Sequence, residues 1–103
     1  MTEVLKRSMA DIERLCLRYR VRRLEVFGSA SDPSRFDPET SDLDFLVEFQ
    51  TIPVEEYADA YFGLLEALQT LFGRQVDLIM SEAIRNPYFL EKVNQSREEV
   101  YAA

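Results

Sequence analysis

The sequence predicts an α+β fold in which helices pack on a small mixed sheet of three strands. Segments with apolar residues at helical spacing alternate with short segments rich in branched and aromatic residues. A loop separates the first two strand-like segments, whereas a long helical segment separates the second from the third. These connections favour a sheet with both antiparallel and parallel pairs. The 103 residues fit one small domain over residues 1–103.

The first half of the chain predicts a helix, a strand and a loop. Apolar residues recur at helical spacing within residues 3–19, and Cys16 lies among them. We therefore expect Cys16 to be a buried structural thiol. Residues 22–27 (RRLEVF) alternate polar and apolar side chains as a strand does, and residues 30–41 contain the prolines and serines typical of a loop.

The second half predicts two more strands and two more helices. Residues 42–49 (DLDFLVEF) form the second strand, and Pro53 opens a long helix that Gly73 is expected to cap. Residues 74–80 form the third strand, and Asn86-Pro87 begin the last helix. That helix is expected to run through the apolar positions Phe89, Leu90, Val93, Val100 and Tyr101. We expect its aromatic residues Tyr88, Phe89 and Tyr101 to belong to the core, with a partner-binding surface as the alternative.

Charge and hydropathy narrow the classes of protein. The net charge of −7 disfavours direct binding to nucleic acid through phosphate contacts. No segment approaches the roughly 18 apolar residues of a membrane span, and charged residues interrupt the N-terminus where a signal peptide needs an apolar run. We expect a cytoplasmic protein with no membrane contact. The arginines at 18, 20, 22 and 23 are expected to form an exposed helix end, although a partner or a nucleotide could also contact them.

The composition also limits the possible chemistry. The chain has no histidine, which excludes Ser-His and Cys-His catalysis and every zinc site that uses histidine. Its single cysteine cannot form an internal disulfide. A metal site in this chain must therefore use oxygen ligands, which favours Mg²⁺, Mn²⁺ or Ca²⁺.

Two carboxylates stand two positions apart at the start of the second strand. Side chains of Asp42 and Asp44 would point to the same face if both belong to the strand. At ~5–6 Å their repulsion is on the order of 3 kcal/mol for an effective dielectric near 20. Either this segment is a solvated turn, or a cation lies between the two carboxylates.

Two further features make a cation site the better interpretation. Asp77 is the one charged residue in the third strand's apolar run, and buried charges are paired or bind metal. Gly28-Ser29 follow the first strand, where a glycine lets backbone N–H groups approach a phosphate and a serine hydroxyl can donate to it. Each feature alone has an ordinary explanation: a turn, or an ion pair of Asp77 with Arg74 or Arg85. Together, along three strands, they predict a metal-phosphate site.

The order of these features resembles the polymerase-β-type nucleotidyltransferase superfamily, and implies its fold. The shared pattern is a strand, Gly28-Ser29, a loop, the motif Asp42-x-Asp44, a strand, a helix and a strand that carries Asp77.

Within the superfamily, the chain is most similar to the minimal nucleotidyltransferases (MNT), which are encoded beside HEPN-domain toxins and act as their antitoxins. The similarity is strongest over residues 24–49 and continues through residues 76–79 and 83–88.

The resemblance implies a role for each motif. Gly28 and Ser29 would bind the nucleotide triphosphate, and Asp42 and Asp44 would hold two Mg²⁺ ions. Asp77 would match the third carboxylate, which binds one metal ion and helps to activate the attacking hydroxyl. The reaction would be in-line attack on the α-phosphate of ATP, releasing pyrophosphate. Family antitoxins transfer AMP to a tyrosine of the HEPN toxin and silence its RNase activity, which implies a hetero-oligomer with the toxin.

The chain departs from the family in its loop. Twelve residues separate Gly28-Ser29 from Asp42, where the family usually has about ten. Many members have Ala-Arg-Gly after the Gly-Ser pair, and this chain has Ala-Ser-Asp at residues 30–32. We expect Arg35 to take over that arginine's contact with the phosphates. Because residues 31–48 hold six acids against one base, we also expect nucleotide binding to require Mg²⁺.

Three functions remain open from the sequence. The first is an AMP-transferring antitoxin, and the second is a non-catalytic antitoxin that blocks its HEPN toxin by complex formation alone. The third is a loop stabilised by calcium or another metal, with no chemistry. The small size argues against an antibiotic-modifying nucleotidyltransferase, because we expect no second domain to hold a small acceptor, although a partner chain could supply the missing wall.

Overall fold

The computed structural model describes residues 1–32, 34–37 and 42–103. Its strands are β1 (Val21–Phe27), β2 (Leu43–Phe49), β3 (Val76–Met80) and β4 (Glu98–Ala102), in the sheet order β3-β2-β1-β4. β1 is antiparallel to β2 and β4, and β2 is parallel to β3. The predicted α+β fold with a mixed sheet is confirmed. The predicted count of three strands is wrong, because the C-terminal residues form a fourth.

β4 takes residues that the apolar spacing had assigned to the last helix. That helix ends at Ser96, and Arg97 already has an extended backbone, with φ −65° and ψ 138°. The guanidinium of Arg97 donates two hydrogen bonds to Glu25 on β1, at 2.9 and 2.5 Å. Pairing with β1 gives backbone partners to an edge that would otherwise stay open. Tertiary pairing thus overrides a helical pattern that is weak after Ser96.

Four helices surround the sheet in the described part of the chain. They are α1 (Glu3–Arg7), α2 (Met9–Arg18), α3 (Val54–Phe72) and α4 (Pro87–Ser96). The predicted first helix is split at Ser8, whose N–H donates to the carbonyl of Leu5 in a tighter three-residue turn. No helix among the described residues is long and apolar enough to cross a membrane.

Helix termini follow the predicted signals. Gly73 caps α3 in the left-handed conformation, with φ 61°. Asn86 caps α4, where its side-chain oxygen accepts hydrogen bonds from the N–H groups of Tyr88 and Phe89. Pro53 lies one position earlier than predicted, at the N-cap of α3.

Different helices pack on the two faces of the sheet. Alternate residues of β1 and β2, including Leu24, Val26 and Phe45, pack with buried residues of α1, α2 and α3 in the main core. Cys16 belongs to this core and is fully buried, which raises the pKa of its thiol to about 12. The prediction of a structural thiol is therefore confirmed.

The second face of the sheet is covered by α4. Phe27 and Leu46 pack there against Val93 of α4, with Ile79 and Ile84 beside them. Tyr88 was predicted to be core, but it is 81% exposed at the start of the helix. The predicted basic cluster is exposed, but it is not a helix end, because α2 ends at Arg18 and both Arg22 and Arg23 lie on β1. Three of its arginines each pair with a glutamate: Arg20, Arg22 and Arg23.

Candidate functional site

Asp44 and Asp77 lie side by side on neighbouring parallel strands. The register of β2 and β3 pairs these two residues directly. Both alternate with core residues of their strands, so both point to the face that α4 covers. The two carboxyl groups interact, since Asp77 raises the pKa of Asp44. The fold therefore brings together two of the three carboxylates predicted from the sequence.

The pairing changes the acidity of Asp44. Burial, then the hydrogen bond with Asp77 and the charge of Asp77, together raise the pKa of this carboxyl to about 6. The charge of Asp42 adds a smaller effect of the same sign. In the absence of a cation, the pair thus holds a proton more tightly than an ordinary carboxylate does.

Asp42 occupies a different position from the other two. β2 begins at Leu43, so Asp42 lies just outside the strand and is exposed. The strand alternation that predicted a shared face for Asp42 and Asp44 does not reach it. Within the described ranges, no group of three or more Asp, Glu, His or Cys side chains is spaced to hold a metal ion. The role of Asp42 as a metal ligand stays a prediction.

The turn after β1 faces this carboxylate pair. Gly28 begins a short 3₁₀ turn, Gly28–Ser31, with φ 71°. A Cβ atom at this position would lie 3.0 Å from Oδ2 of Asp44. Any residue other than glycine would therefore crowd the carboxylate of Asp44 in its present position. The N–H of Gly28 donates to Oγ of Ser96 at 2.9 Å, and Oγ of Ser31 donates to the Gly28 carbonyl at 2.9 Å.

The hydrogen bond from Gly28 to Ser96 changes the expected role of this glycine. We had expected its backbone N–H to be available to a phosphate, but that group already has a partner. Gly28 contributes space and a left-handed backbone to this turn, and its role in binding the triphosphate stays a prediction. Ser29 is half-buried at the edge of the same turn and lines the cleft.

A cleft of about 1140 Å³ contains the predicted site residues other than Asp42. Gly28, Ser29, Arg35, Asp44 and Asp77 all line it. Arg35 is exposed, and its backbone N–H donates to the carbonyl of Asp32. The predicted loop over residues 30–41 lies partly outside the described residues, at positions 33 and 38–41.

Sequence reasoning missed the contribution of α4 to this cleft. Phe89, Lys92, Val93, Gln95 and Ser96 form one of its walls. No local motif marks these positions, because their place depends on how α4 packs on the sheet. The one available signal was the rarity of lysine, which occurs only at positions 6 and 92.

The alternative ion-pair interpretation of Asp77 had named two arginines. Arg85 donates to the backbone carbonyl of Glu82 at 2.8 Å. The guanidinium of Arg74 lies 5.1 Å from the ring centre of Phe36. The group in contact with Asp77 in the cleft is the carboxyl of Asp44, an arrangement that favours a positive ligand.

The donors of Asp44 and Asp77 suit Mg²⁺. Both supply carboxylate oxygens, which are the ligands that hard divalent cations prefer. The raised pKa of Asp44 reflects burial beside like charge, and a bound cation would offset that cost. Gly28 leaves the inner oxygen of Asp44 uncovered. The residues present therefore fit a divalent cation at this pair.

A family comparison covers most of the chain. Residues 11–100 match the model of the nucleotidyltransferase domain. A relative from Methanocaldococcus jannaschii, named "Putative protein adenylyltransferase", is 36% identical over 78 residues, which are 76% of this chain and 74% of that protein.

Solved structures share the fold. A "putative minimal nucleotidyltransferase" is 28% identical and superposes with a TM-score of 0.65, covering 95% of both chains. The complex of a tri-AMPylated Shewanella oneidensis HEPN toxin with MNT antitoxin contains a chain with a TM-score of 0.63 and 17% identity, covering 96% of this chain and 73% of that one. This last likeness establishes the shared fold.

Proposed function

The chain belongs to the nucleotidyltransferase domain family, and from that membership we propose that it is an antitoxin that transfers AMP from ATP to a hydroxyl group of a cognate HEPN toxin. The acceptor hydroxyl is that of a tyrosine, and the modification neutralises the toxin's RNase activity. The name of the Methanocaldococcus relative supports adenylyl transfer to protein. The AMPylated HEPN toxin in the Shewanella complex supports the class of acceptor.

One observation carries the proposal: Asp44 and Asp77 face each other across β2 and β3, beside the Gly28 turn, in a large cleft. Two adjoining carboxylates that line an open cleft suit phosphoryl chemistry better than a structural loop, because their repulsion costs stability when no cation is present.

Different residues of the chain would act in nucleotide binding and in the transfer of AMP. Ser29 and Arg35 bind the triphosphate, and the space at Gly28 lets it approach Asp44. The tyrosine hydroxyl oxygen attacks the α-phosphorus, and the bond from that phosphorus to the bridging oxygen breaks. Asp77 is more exposed than Asp44. It orients the incoming hydroxyl and accepts its proton. Pyrophosphate then leaves.

Asp44 and Asp77, with Asp42 beside them, would hold Mg²⁺. Two such ions, when bound, supply positive charge to the phosphate oxygens as bonds form and break. ATP is then the substrate, and Mg²⁺ is the cofactor.

The test is to incubate the purified protein with α-labelled ATP, Mg²⁺ and the product of the neighbouring gene. We expect label on the partner, and loss of label with Asp44→Asn or Asp77→Asn. Asp59→Asn, on the exposed surface of α3, is the matched control and should retain transfer. Label that persists in both site variants would overturn the assignment of the site.

A binding-only antitoxin is the second candidate. Tyr88 and Leu90 are 81% and 40% exposed on α4, an arrangement that suits contact with another protein. For this candidate, the same incubation gives an inactive complex with the toxin and no label. The two functions therefore differ in one measured outcome.

A further inference from the structure

We propose that Lys92 of α4 binds the β- and γ-phosphates of the nucleotide, as a second cation beside Arg35. This inference rests on the proposed function, because it assigns a further residue to the same nucleotide. Lys92 belongs to no motif by which the site was predicted.

The cations of the chain divide into two groups. Ten of the twelve Lys and Arg side chains make an ion pair, a hydrogen bond or a ring contact. The two that make none with any described residue are Arg35 and Lys92, and both line the cleft. Arg35 acts through its charge on Asp32 without forming an ion pair. In a chain of net charge −7, two cations in one cleft that form no ion pair with a described residue favour an anionic ligand there.

The packing of α4 places Lys92 near the Gly28 turn. Residues three and four apart share a helix face, so Lys92 lies between Phe89 and Ser96 on the wall that faces the cleft. The Phe89 ring contacts the Phe27 ring with centres 6.1 Å apart, and Ser96 accepts the hydrogen bond from Gly28. These contacts fix the helix on both sides of Lys92 and hold it beside the turn.

The charges in the cleft explain why a phosphate tail needs this lysine. Asp32, Asp44 and Asp77 line the cleft, against Arg35 and Lys92. A lysine ammonium is a compact charge on a flexible stem, and it can follow a phosphate whose position other groups determine. Because Lys92 has no carboxylate partner among the described residues, binding a phosphate breaks no existing ion pair.

The direct test is calorimetric titration of ATP and AMP into wild type and Lys92→Ala with Mg²⁺ present. We expect Lys92→Ala to weaken ATP binding about tenfold, as for the loss of one charge-assisted contact. Binding of AMP, which lacks the β- and γ-phosphates, should stay unchanged. Lys92→Arg should keep most of the affinity for ATP. The melting temperature should not move, because Lys92 is exposed.

Lys6→Ala is the matched control, because Lys6 is the other lysine and lies on α1 away from the cleft. Its affinity for ATP should equal that of wild type. If wild type binds ATP and Lys92→Ala binds it equally well, the role of Lys92 is overturned and the proposed function stands. An equal loss of ATP and AMP affinity would also contradict a role at the phosphate tail. If wild type binds no nucleotide, both proposals fail.

Discussion

Asp44 is the single residue whose chemistry depends most on its neighbours, and this gives a prediction about stability. The folded-state pKa of Asp44 is about 6, which lies above the ordinary value of 3.8. Its favourable contribution to the free energy of unfolding is therefore present at low pH and is lost as the pH rises through about 6. Asp44→Asn removes this loss of stability, because an asparagine side chain does not ionise. We expect the variant to be more stable than wild type by about 1–2 kcal/mol near pH 7.5, after discounting for partial exposure.

Urea unfolding in a chelator, at about pH 7.5 and again at about pH 4.5, measures this effect. The advantage of Asp44→Asn should shrink at the lower pH. Asp77→Asn should relieve the same repulsion, and the double variant should gain less than the sum of the two. An advantage that is equal at both pH values would show that the carboxylate pair is not its cause.

Gly28 and Gly73 form a natural pair for a second prediction, because both have positive φ values of 71° and 61°. An alanine at either position should cost about 1 kcal/mol of stability through the left-handed backbone. Only at position 28 would the new Cβ also meet Asp44, whereas nothing lies within 4 Å at position 73. We expect Gly28→Ala to lower AMP transfer roughly tenfold or more, and Gly73→Ala to leave it unchanged.

Melting curves and transfer rates for the two glycine variants separate backbone strain from the loss of the site. Equal effects of both substitutions on transfer would mean that the approach of Gly28 to Asp44 has no part in it.

Single residues differ in how far the sequence could predict them. Gly28, Asp44 and Asp77 were predictable because each breaks a local pattern: a glycine at a strand end, or an acid within an apolar strand. Lys92 was not, because its place in the cleft comes from the packing of α4 on Phe27 and Gly28. The face shared by Asp42 and Asp44 stays a prediction, because β2 begins one residue after Asp42.

Among the elements, the junction of α4 and β4 depends on one ion pair. Glu25 is 8% exposed on β1, and the hydrogen bond and charge of Arg97 hold the pKa of that carboxyl below its usual value. Arg97→Met would leave a buried carboxylate without its partner. We expect a loss of about 2–3 kcal/mol, slightly under the usual range because Arg97 is partly exposed.

The matched control for this third prediction is Arg23→Met. Arg23 pairs with Glu99 across the same two strands, but both side chains are about half exposed and the contact is 3.7 Å. Its loss should cost less than about 0.5 kcal/mol. Urea unfolding at neutral pH compares the two variants, and similar costs would contradict a structural role for the buried pair.

The same ion pair explains why the C-terminal element was mispredicted. Val93, Val100 and Tyr101 are consistent with one continuous helix, and nothing local to residues 97–102 excludes it. The open edge of β1 and the long-range bond to Glu25 decide in favour of a strand. In contrast, α3 carries its own signals at both ends, and its bounds were predicted to within one residue.

At the scale of the whole molecule, the mixed sheet was predictable because connection length sets strand direction. The loop between β1 and β2 permits an antiparallel pair, while the nineteen-residue helix α3 carries the chain across to a parallel neighbour. This arrangement puts the ends of three strands at one edge of the cleft. The meeting of Gly28, Asp44 and Asp77 at this edge follows from topology, whereas the α4 wall requires packing that sequence patterns do not encode.

The charge of the whole molecule leads to the last prediction. A net charge of −7, with Asp44 and Asp77 in the cleft, repels the triphosphate of free ATP. On the proposed function, Mg²⁺ would reverse this local field by binding both the nucleotide and the carboxylates. We expect calorimetry to show ATP binding with Mg²⁺ and at least tenfold weaker binding in a chelator. Asp44→Asn/Asp77→Asn should lose most of the gain from Mg²⁺, and Asp59→Asn should keep it. Equal affinity of wild type with and without Mg²⁺ would contradict a carboxylate-held cation, and would leave Arg35 and Lys92 as the groups that bind the phosphates.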